Sequence, residues 1–134
     1  MDTCVIRRVW IAIDPLGPAR AERTVLLVTG DADLRAAAER AITAAGYRVL
    51  AAAHSGHALL ACMGQGPVDT LVTELAMDDM SGPSLAERLR RHHPNLQTVY
   101  LANAGTSECE GVLVRPFTRD DLLARIEAAA LARL

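Results

Sequence analysis

The sequence predicts an α/β domain in which five short strands form one parallel sheet with helices on both faces. From Thr24 onward, short apolar runs rich in β-branched residues alternate with stretches whose apolar residues recur every three or four positions. The runs are apolar throughout, which is typical of strands buried on both faces. The chain has 134 residues, a length that suits one domain with a substantial core. We therefore expect a domain over residues 24–134, preceded by an N-terminal extension and linker over residues 1–23.

Each predicted element has a local signal. The strands are expected at residues 25–28, 47–53, 70–74, 98–102 and 112–114. The core-facing helix residues are expected to be Leu34, Ala38, Ala41, Ile42 and Ala45, then Leu59, Cys62 and Met63, then Leu85 and Leu89, and finally Leu123, Ile126, Ala130 and Leu134. Gly46 is expected to end the first helix as its C′ residue, and Ser55 is expected to cap the start of the second. Ser84 with Glu87 and Thr118 with Asp121 have the spacing of a capping box at the start of the third and last helices.

The connection between the fourth and fifth strands is short, because only residues 103–111 remain there. A helix that returns along a strand of about 17 Å needs about 11 residues and a turn at each end. The fourth helix should therefore be missing or shortened, and an apolar part of the sheet should be bare. We expect it to be covered by the extension, a second copy of the chain or another protein. In the extension, residues 5–13 have the composition of an additional edge strand, with Trp10 as an anchor.

Composition excludes several classes of function. The formal net charge is −2, no clustered basic face is evident and lysine is absent, which argues against nucleic acid as the main partner, since that binding relies on Lys and Arg to neutralise phosphates. Cys4, Cys62 and Cys109 have no paired spacing, which argues against a disulfide framework and a zinc site. The apolar stretch at residues 9–13 is too short for a signal core or a membrane span. A cytoplasmic domain without nucleic-acid or membrane partners is expected.

Several motifs resemble those of the receiver domains of two-component response regulators, and they occur in the same order. They are Asp-Leu-Arg at residues 33–35, Gly-Tyr at 46–47, Ala-Leu at 58–59, the segment 75–82, which resembles a Met-Pro-Gly-Met-Asp-Gly loop, and Arg-Pro-Phe at 115–117, which resembles Lys-Pro-Phe. The resemblance covers residues 24–134. It implies a doubly wound, flavodoxin-like sheet of the CheY type.

The resemblance also implies where a reaction centre would lie. Receivers accept a phosphoryl group on an aspartate beside a magnesium ion, and an acidic pair, a hydroxyl residue and a lysine surround it. Here the acceptor position holds Glu74, the acidic pair falls on Thr29 and Gly30, the hydroxyl position holds Ala102, and the lysine position holds Arg115. The pocket lacks the carboxylate ligands that magnesium prefers. No metal and no other cofactor is expected.

Glu74 has three interpretations. It is a solvated or paired strand-end acid, a mimic of a phosphorylated residue, or a true phosphoryl acceptor, in which case Asp78 and Asp79 are further candidates after a shift of register. Arginine binds a carboxylate through two parallel hydrogen bonds, so a pair of Glu74 and Arg115 is expected to hold the pocket in one arrangement. Asp31 is expected to cap the first helix and not to bind metal.

The resulting hypothesis is an atypical, stand-alone response regulator receiver, or pseudo-receiver, that acts in phosphorelay signalling by phosphorylation-independent protein–protein interaction. The expected partner is a sensor histidine kinase or another signalling protein, and a homodimer is expected as well. The sequence shows no catalytic triad or paired acid and base, so an enzyme is not expected. The alternative is a small flavodoxin-like ligand-binding domain or enzyme that uses the strand-end crevice near Thr29, Glu74 and Arg115.

Overall fold

The computed structural model describes residues 23–63, 67–105 and 111–131. These ranges contain β1 (Thr24–Val28), α1 (Ala32–Ala44), β2 (Arg48–Ala52), α2 (Ser55–Cys62), β3 (Thr70–Glu74), α3 (Gly82–Arg90), β4 (Gln97–Ala102), β5 (Val112–Val114) and α4 (Arg119–Leu131). The strands form one parallel sheet in the order β2-β1-β3-β4-β5. The predicted doubly wound fold is confirmed, and none of the helices in these ranges is long and apolar enough to cross a bilayer.

Two hydrophobic cores fill the spaces on the two faces of the sheet. In β1, Val25 and Leu27 belong to the core under α1 and α4, whereas Leu26 and Val28 belong to the core under α2 and α3. All five residues of β1 are buried, because this strand lies inside the sheet and has helices on both faces. Burying a side chain such as that of Leu27 contributes about 1.5–3 kcal/mol. The two cores therefore hold the strand ends, and the residues that follow them, in place.

The predicted start and end of α1 are confirmed. The Asp31 carboxylate accepts hydrogen bonds from the backbone N–H groups of Asp33 and Leu34, and Asp31 is the N-cap. Gly46 follows the helix with a φ of 104°, a backbone conformation that glycine adopts at little cost. A polar cap and a glycine thus limit the helix to the residues between the first two strands.

Two expectations for α2 are wrong. The N-cap is His54 instead of Ser55, and its imidazole accepts a backbone hydrogen bond from the third residue along. Met63 is 80% exposed instead of facing the core, while Ala58 and Cys62 are buried. The buried residues Ser55, Ala58 and Cys62 recur at spacings of three and four, so they lie on one face of the helix. Met63 directly follows Cys62 and therefore points about 100° away from it around the helix axis.

The predicted start of α3 is corrected as well. Ser81 is the N-cap, and its hydroxyl accepts a hydrogen bond from the backbone N–H of Ser84. The expected box between Ser84 and Glu87 therefore does not cap this helix. Gly82 permits the earlier start, because a Cβ at this position would lie only 2.5 Å from the carbonyl oxygen of Glu74.

The capping box of α4 is confirmed. The backbone N–H of Thr118 donates to Asp121 Oδ2 at 3.0 Å, and the backbone N–H of Asp121 donates to Thr118 Oγ1 at 3.1 Å. Ile126 and Ala130 are buried as expected. Leu134 lies outside the described residues.

The connection between β4 and β5 contains no helix in the part that the structure describes, residues 103–105 and 111. The expected bare apolar stripe is not observed there, because Tyr100 and Val114 are partly buried and Val112 is 7% exposed. Among the described residues, the large hydrophobic side chains that are exposed belong to α2 and its C-cap, at Leu60 and Met63. The N-terminal extension, with its predicted edge strand, lies outside the described residues.

Candidate functional site

The carboxyl edge of the sheet brings together residues that are far apart in sequence. Thr29 follows β1, Glu74 ends β3, Ala102 ends β4 and Arg115 follows β5. The strand β3 is the middle strand of the sheet, so Glu74 has neighbours on both sides. Open α/β sheets bind ligands at this edge, and it is here that the resemblance places a reaction centre.

Glu74 is bound by two donors from opposite sides. Its Oε2 atom accepts a hydrogen bond of 2.7 Å from Thr29 Oγ1 and another of 2.5 Å from Arg115 Nη2. The side chains of Glu74 and Arg115 are 16% and 27% exposed. The ion pair is therefore shielded from much of the solvent, although it is not fully buried.

Arg115 does not form the two parallel hydrogen bonds that were expected with Glu74. Only Nη2 contacts the carboxylate, whereas Nη1 donates to the side-chain oxygen of Asn103 at 3.3 Å. Asn103 is a pocket residue that sequence reasoning missed. Its only sequence signal is its place directly after β4, at the same edge of the sheet. Arg115 thereby connects the ends of β3, β4 and β5.

Thr29 takes part in four hydrogen bonds at the end of β1 and is fully buried; its backbone N–H donates to the Ala52 carbonyl oxygen at 3.1 Å. Besides donating to Glu74, its Oγ1 accepts a hydrogen bond of 3.2 Å from the backbone N–H of Asp31, and its carbonyl oxygen accepts one of 2.8 Å from Arg35 Nη1. Gly30 beside it is exposed, and a Cβ there would meet only the Ala53 carbonyl oxygen within 4 Å, at 3.7 Å. At the first position of the acidic pair, the Thr29 hydroxyl thus has a structural role. At the second position, Gly30 has no side chain although the space around it would accommodate one.

A second contact holds the loop after β3 against α2. Asp79 accepts two hydrogen bonds from Ser55, at 3.0 Å from the backbone N–H and at 3.2 Å from the hydroxyl. Desolvation acts to raise the pKa of Asp79, but the hydrogen bonds from Ser55 and from nearby backbone N–H groups outweigh it and lower the pKa. Asp79 is thus an ionised partner for the first turn of α2. This role, contributed from 24 residues away, was not anticipated from the sequence.

An open cavity of about 480 Å³ lies beside Glu74 at the same edge. Its lining includes Gly30, His54, Asp78 and Asp79. Asp78 is exposed, and Asp79 is already bonded to Ser55. The cavity is open to solvent and has an acidic rim.

The residues at this edge do not fit the magnesium ion that the resemblance implies. Magnesium requires oxygen ligands in near-octahedral array, usually with carboxylates among them. Thr29 offers a hydroxyl, Gly30 offers no side chain, and the Arg115 guanidinium already contributes a positive charge beside Glu74. In the ranges that the structure describes, no group of three or more His, Cys, Asp or Glu side chains is placed to hold a metal ion.

The strand order and the polar residues at the ends of β1, β3 and β5 define a small doubly wound α/β domain with a polar site at the carboxyl edge of its sheet. The family model of the response regulator receiver domain matches residues 25–127. The chain belongs to this family.

Two curated relatives are similar in sequence over most of this chain. The sensor kinase CckA of Brucella abortus is 31% identical over 115 residues, which cover 78% of this chain and 12% of the kinase. The DNA-binding transcriptional regulator NtrC of Proteus hauseri is 32% identical over 114 residues, which cover 78% of this chain and 24% of the regulator. The chain thus spans only a small part of the length of these relatives.

Solved structures of receivers have the same fold. A response regulator receiver protein from Sinorhizobium medicae has a TM-score of 0.73 and 25% identity, and the match covers 84% of this chain and 97% of that one. The chemotaxis response regulator CheY4 of Vibrio cholerae has a TM-score of 0.70 and 23% identity, with 80% and 98% covered. Nearly the whole length of each receiver is therefore matched.

Proposed function

We propose that this receiver domain is a pseudo-receiver, which transmits a signal by protein–protein contact without being phosphorylated itself. The observation that carries this proposal is the engagement of the carboxylate at the acceptor position. Both Arg115 and Thr29 bind Oε2 of Glu74, and these two contacts fix the orientation of the carboxylate, whereas an acceptor oxygen must align with the phosphorus and the leaving group. The guanidinium also draws negative charge from the carboxylate and weakens it as a nucleophile.

The rest of the pocket supports the same conclusion. Phosphoryl transfer depends almost entirely on positioning and on electrostatic stabilisation of the transferred group. The side chain of Glu74 is one methylene longer than that of aspartate, so its carboxylate oxygens extend farther from the β3 backbone into the site than those of an aspartate would. Thr29 and Gly30 supply no carboxylate for a metal ion, and the buried Ala102 supplies no hydroxyl for a phosphoryl oxygen. Each of these residues removes one contribution to the transfer.

The proposed partner is a sensor histidine kinase or another signalling protein in the cytoplasm. The relatives of this chain include a sensor kinase and a transcriptional regulator, so receivers of similar sequence occur in both kinds of protein. In our proposal the ion pair of Glu74 and Arg115 holds the carboxyl edge in one arrangement. The domain then presents the same surface to its partner whether or not a phosphoryl donor is present.

The test of this proposal is intact-mass measurement after incubation with acetyl phosphate and magnesium. The wild-type chain should gain no phosphoryl group. A variant with a restored pocket should gain one under the same conditions, and its substitutions are Thr29→Asp, Gly30→Asp, Glu74→Asp, Ala102→Thr and Arg115→Lys. A receiver with an intact acceptor site serves as the control for donor activity. A stoichiometric phosphoryl adduct on the wild-type chain would contradict the proposal.

A binding measurement distinguishes contact from ligand recognition. Affinity for a sensor-kinase partner should be the same with and without a phosphoryl donor, and Glu74→Gln should change it if Glu74 imitates a phosphorylated residue. The alternative class, a small ligand-binding domain, would use the cavity beside Glu74. A large, saturable thermal shift with a metabolite or nucleotide would favour that alternative.

A further inference from the structure

Two large apolar side chains are exposed on α2 and its C-cap. Leu60 is 69% exposed and Met63, the C-cap of the helix, is 80% exposed. They are three residues apart and therefore adjacent on the helix surface; we refer to them as the Leu60/Met63 face. Residues 55–62 include no Asp, Glu, Lys or Arg. The centres of interfaces are depleted of charged residues and enriched in Met, and the Leu60/Met63 face has both features.

The Leu60/Met63 face lies at the edge of the sheet where the preceding chain enters. The helix α2 follows β2 and runs antiparallel to the strands, so its C-terminal end lies at their amino ends. Asp69, six residues after Met63, confirms this placement: its Oδ2 accepts a hydrogen bond of 2.8 Å from the Thr24 backbone N–H, and its own N–H donates to the Thr24 carbonyl oxygen at 3.0 Å. Thr24 is the first residue of β1, which is the direct neighbour of β2 in the sheet.

We propose that the apolar segment at residues 4–13 packs against the Leu60/Met63 face of the same molecule. This segment is rich in Val and Ile and contains Trp10, the single tryptophan of the chain. Large aromatic side chains are common anchors in interfaces of this kind. The contact covers the most exposed large hydrophobic side chains of the described structure.

The size of the face favours a segment of the same chain over a separate partner. The helix has 8 residues and is about 12 Å long. A stable complex between two proteins buries about 800 Å² on each partner, far more than two side chains on so short a helix provide. An attached segment does not need such an area, because the linker keeps its effective concentration at about millimolar levels.

The length of the linker suits the distance to be spanned. Ten residues, 14–23, separate the apolar segment from Thr24. Ten residues reach at most about 33–36 Å when fully extended. Thr24 and the C-terminal end of α2 lie at the same edge of the sheet, as the hydrogen bonds between Thr24 and Asp69 indicate. The linker therefore starts near the end of the helix that carries Met63, and a segment attached so close has a high effective concentration at this face.

The fluorescence of Trp10 in the full-length chain provides the test. The wild-type chain should show blue-shifted emission and weak quenching by acrylamide, and both should be independent of protein concentration. The double substitution Leu60→Gln with Met63→Gln should shift the emission to the red and increase quenching to the level of free tryptophan. Ala36→Gln on the exposed side of α1 is the matched control, and Leu60→Met, which keeps an apolar side chain, should retain the shielding.

Three outcomes would overturn the proposal. They are free exposure of Trp10 in the wild-type chain, shielding that persists in the double variant, and shielding that grows with protein concentration, which would indicate a second copy instead. Leu60 and Met63 are exposed, so the double variant should keep the circular dichroism and melting temperature of the wild type. If it does not, NMR of Trp10→Ala decides, because the methyl resonances of Leu60 and Met63 must shift when the ring is removed. Unchanged resonances would refute the contact.

Discussion

Replacing Arg115 by methionine tests the central contact of the pocket. Methionine keeps an unbranched side chain of similar reach and removes the guanidinium. The substitution eliminates the ion pair with Glu74 and the hydrogen bond to Asn103. Glu74 keeps its hydrogen bond from Thr29, so the carboxylate is left with one donor instead of two.

The expected loss of unfolding free energy is about 1–2 kcal/mol. Removing one partner of a fully buried ion pair costs about 3–5 kcal/mol, whereas an exposed pair contributes about 0.2–1 kcal/mol. The side-chain exposures of 27% for Arg115 and 16% for Glu74 place this pair between the two limits. A loss of this size should lower the Tm of a domain of this length by about 4–8 °C.

Urea denaturation and thermal melting at neutral pH measure this loss. Arg119→Met is the matched control, because Arg119 lies 4.0 Å from Asp120 with side-chain exposures of 70% and 90%; it should change the unfolding free energy by less than about 0.5 kcal/mol. A double-mutant cycle with Glu74→Gln should give a coupling of about 1 kcal/mol. The reasoning is refuted if Arg115→Met costs no more than Arg119→Met, or if the cycle is additive.

Three further substitutions follow from local geometry. Gly82→Ala should destabilise the fold by about 1–3 kcal/mol in urea denaturation, because its Cβ would overlap the carbonyl oxygen of Glu74. Gly56→Ala is the control and should not destabilise the fold, because its Cβ would lie 3.5 Å from the nearest atom; equal losses in the two variants would contradict the overlap. Asp31→Ala should cost about 1 kcal/mol through loss of the α1 cap, and an unchanged midpoint would contradict that role. The lowered pKa of Asp79 means that its carboxylate stabilises the fold above its unfolded pKa of about 3.9, and this contribution is lost as pH falls through the folded pKa. Asp79→Asn should therefore be less stable than the wild type at neutral pH and lose less stability on acidification, and parallel melting curves across pH would refute this.

The strands and the end of α1 were predictable from the sequence because their signals are local. Residues 70–74 form an apolar run that ends at an acid, and the observed strand has the same bounds. Gly46 and the Thr118–Asp121 box also act within a few residues of the helix ends that they define. Such signals are strong because propensity, capping and hydrophobic pattern agree over a short stretch.

The cap of α3 was mispredicted because two serines, three residues apart, both suit the start of this helix. Ser84 with Glu87 satisfies the box pattern, yet Ser81 caps the helix. The earlier start brings Gly82 against the carbonyl oxygen of Glu74 and places its backbone N–H 2.9 Å from the Leu75 carbonyl oxygen. Ser81 followed by Pro83 in the first turn is the sequence signal for the earlier start.

The pocket was predictable in its membership but not in its hydrogen bonds. The resemblance placed Glu74, Thr29 and Arg115 at one edge of the sheet, where the structure has them. The donors approach Oε2 of Glu74 from β1 on one side and from the segment after β5 on the other. This leaves the second guanidinium nitrogen for Asn103. Side-chain directions of this kind depend on the twist and spacing of the strands, which the sequence pattern does not specify.

Calorimetric titration of the wild-type chain with magnesium tests the central claim most directly, because a receiver that is phosphorylated must first bind the ion at the edge that holds Glu74. The account predicts no saturable heat above that of dilution, with the restored-pocket variant as the control that regains binding. Tight, one-to-one magnesium uptake by the wild-type chain that disappears in Glu74→Gln would contradict it.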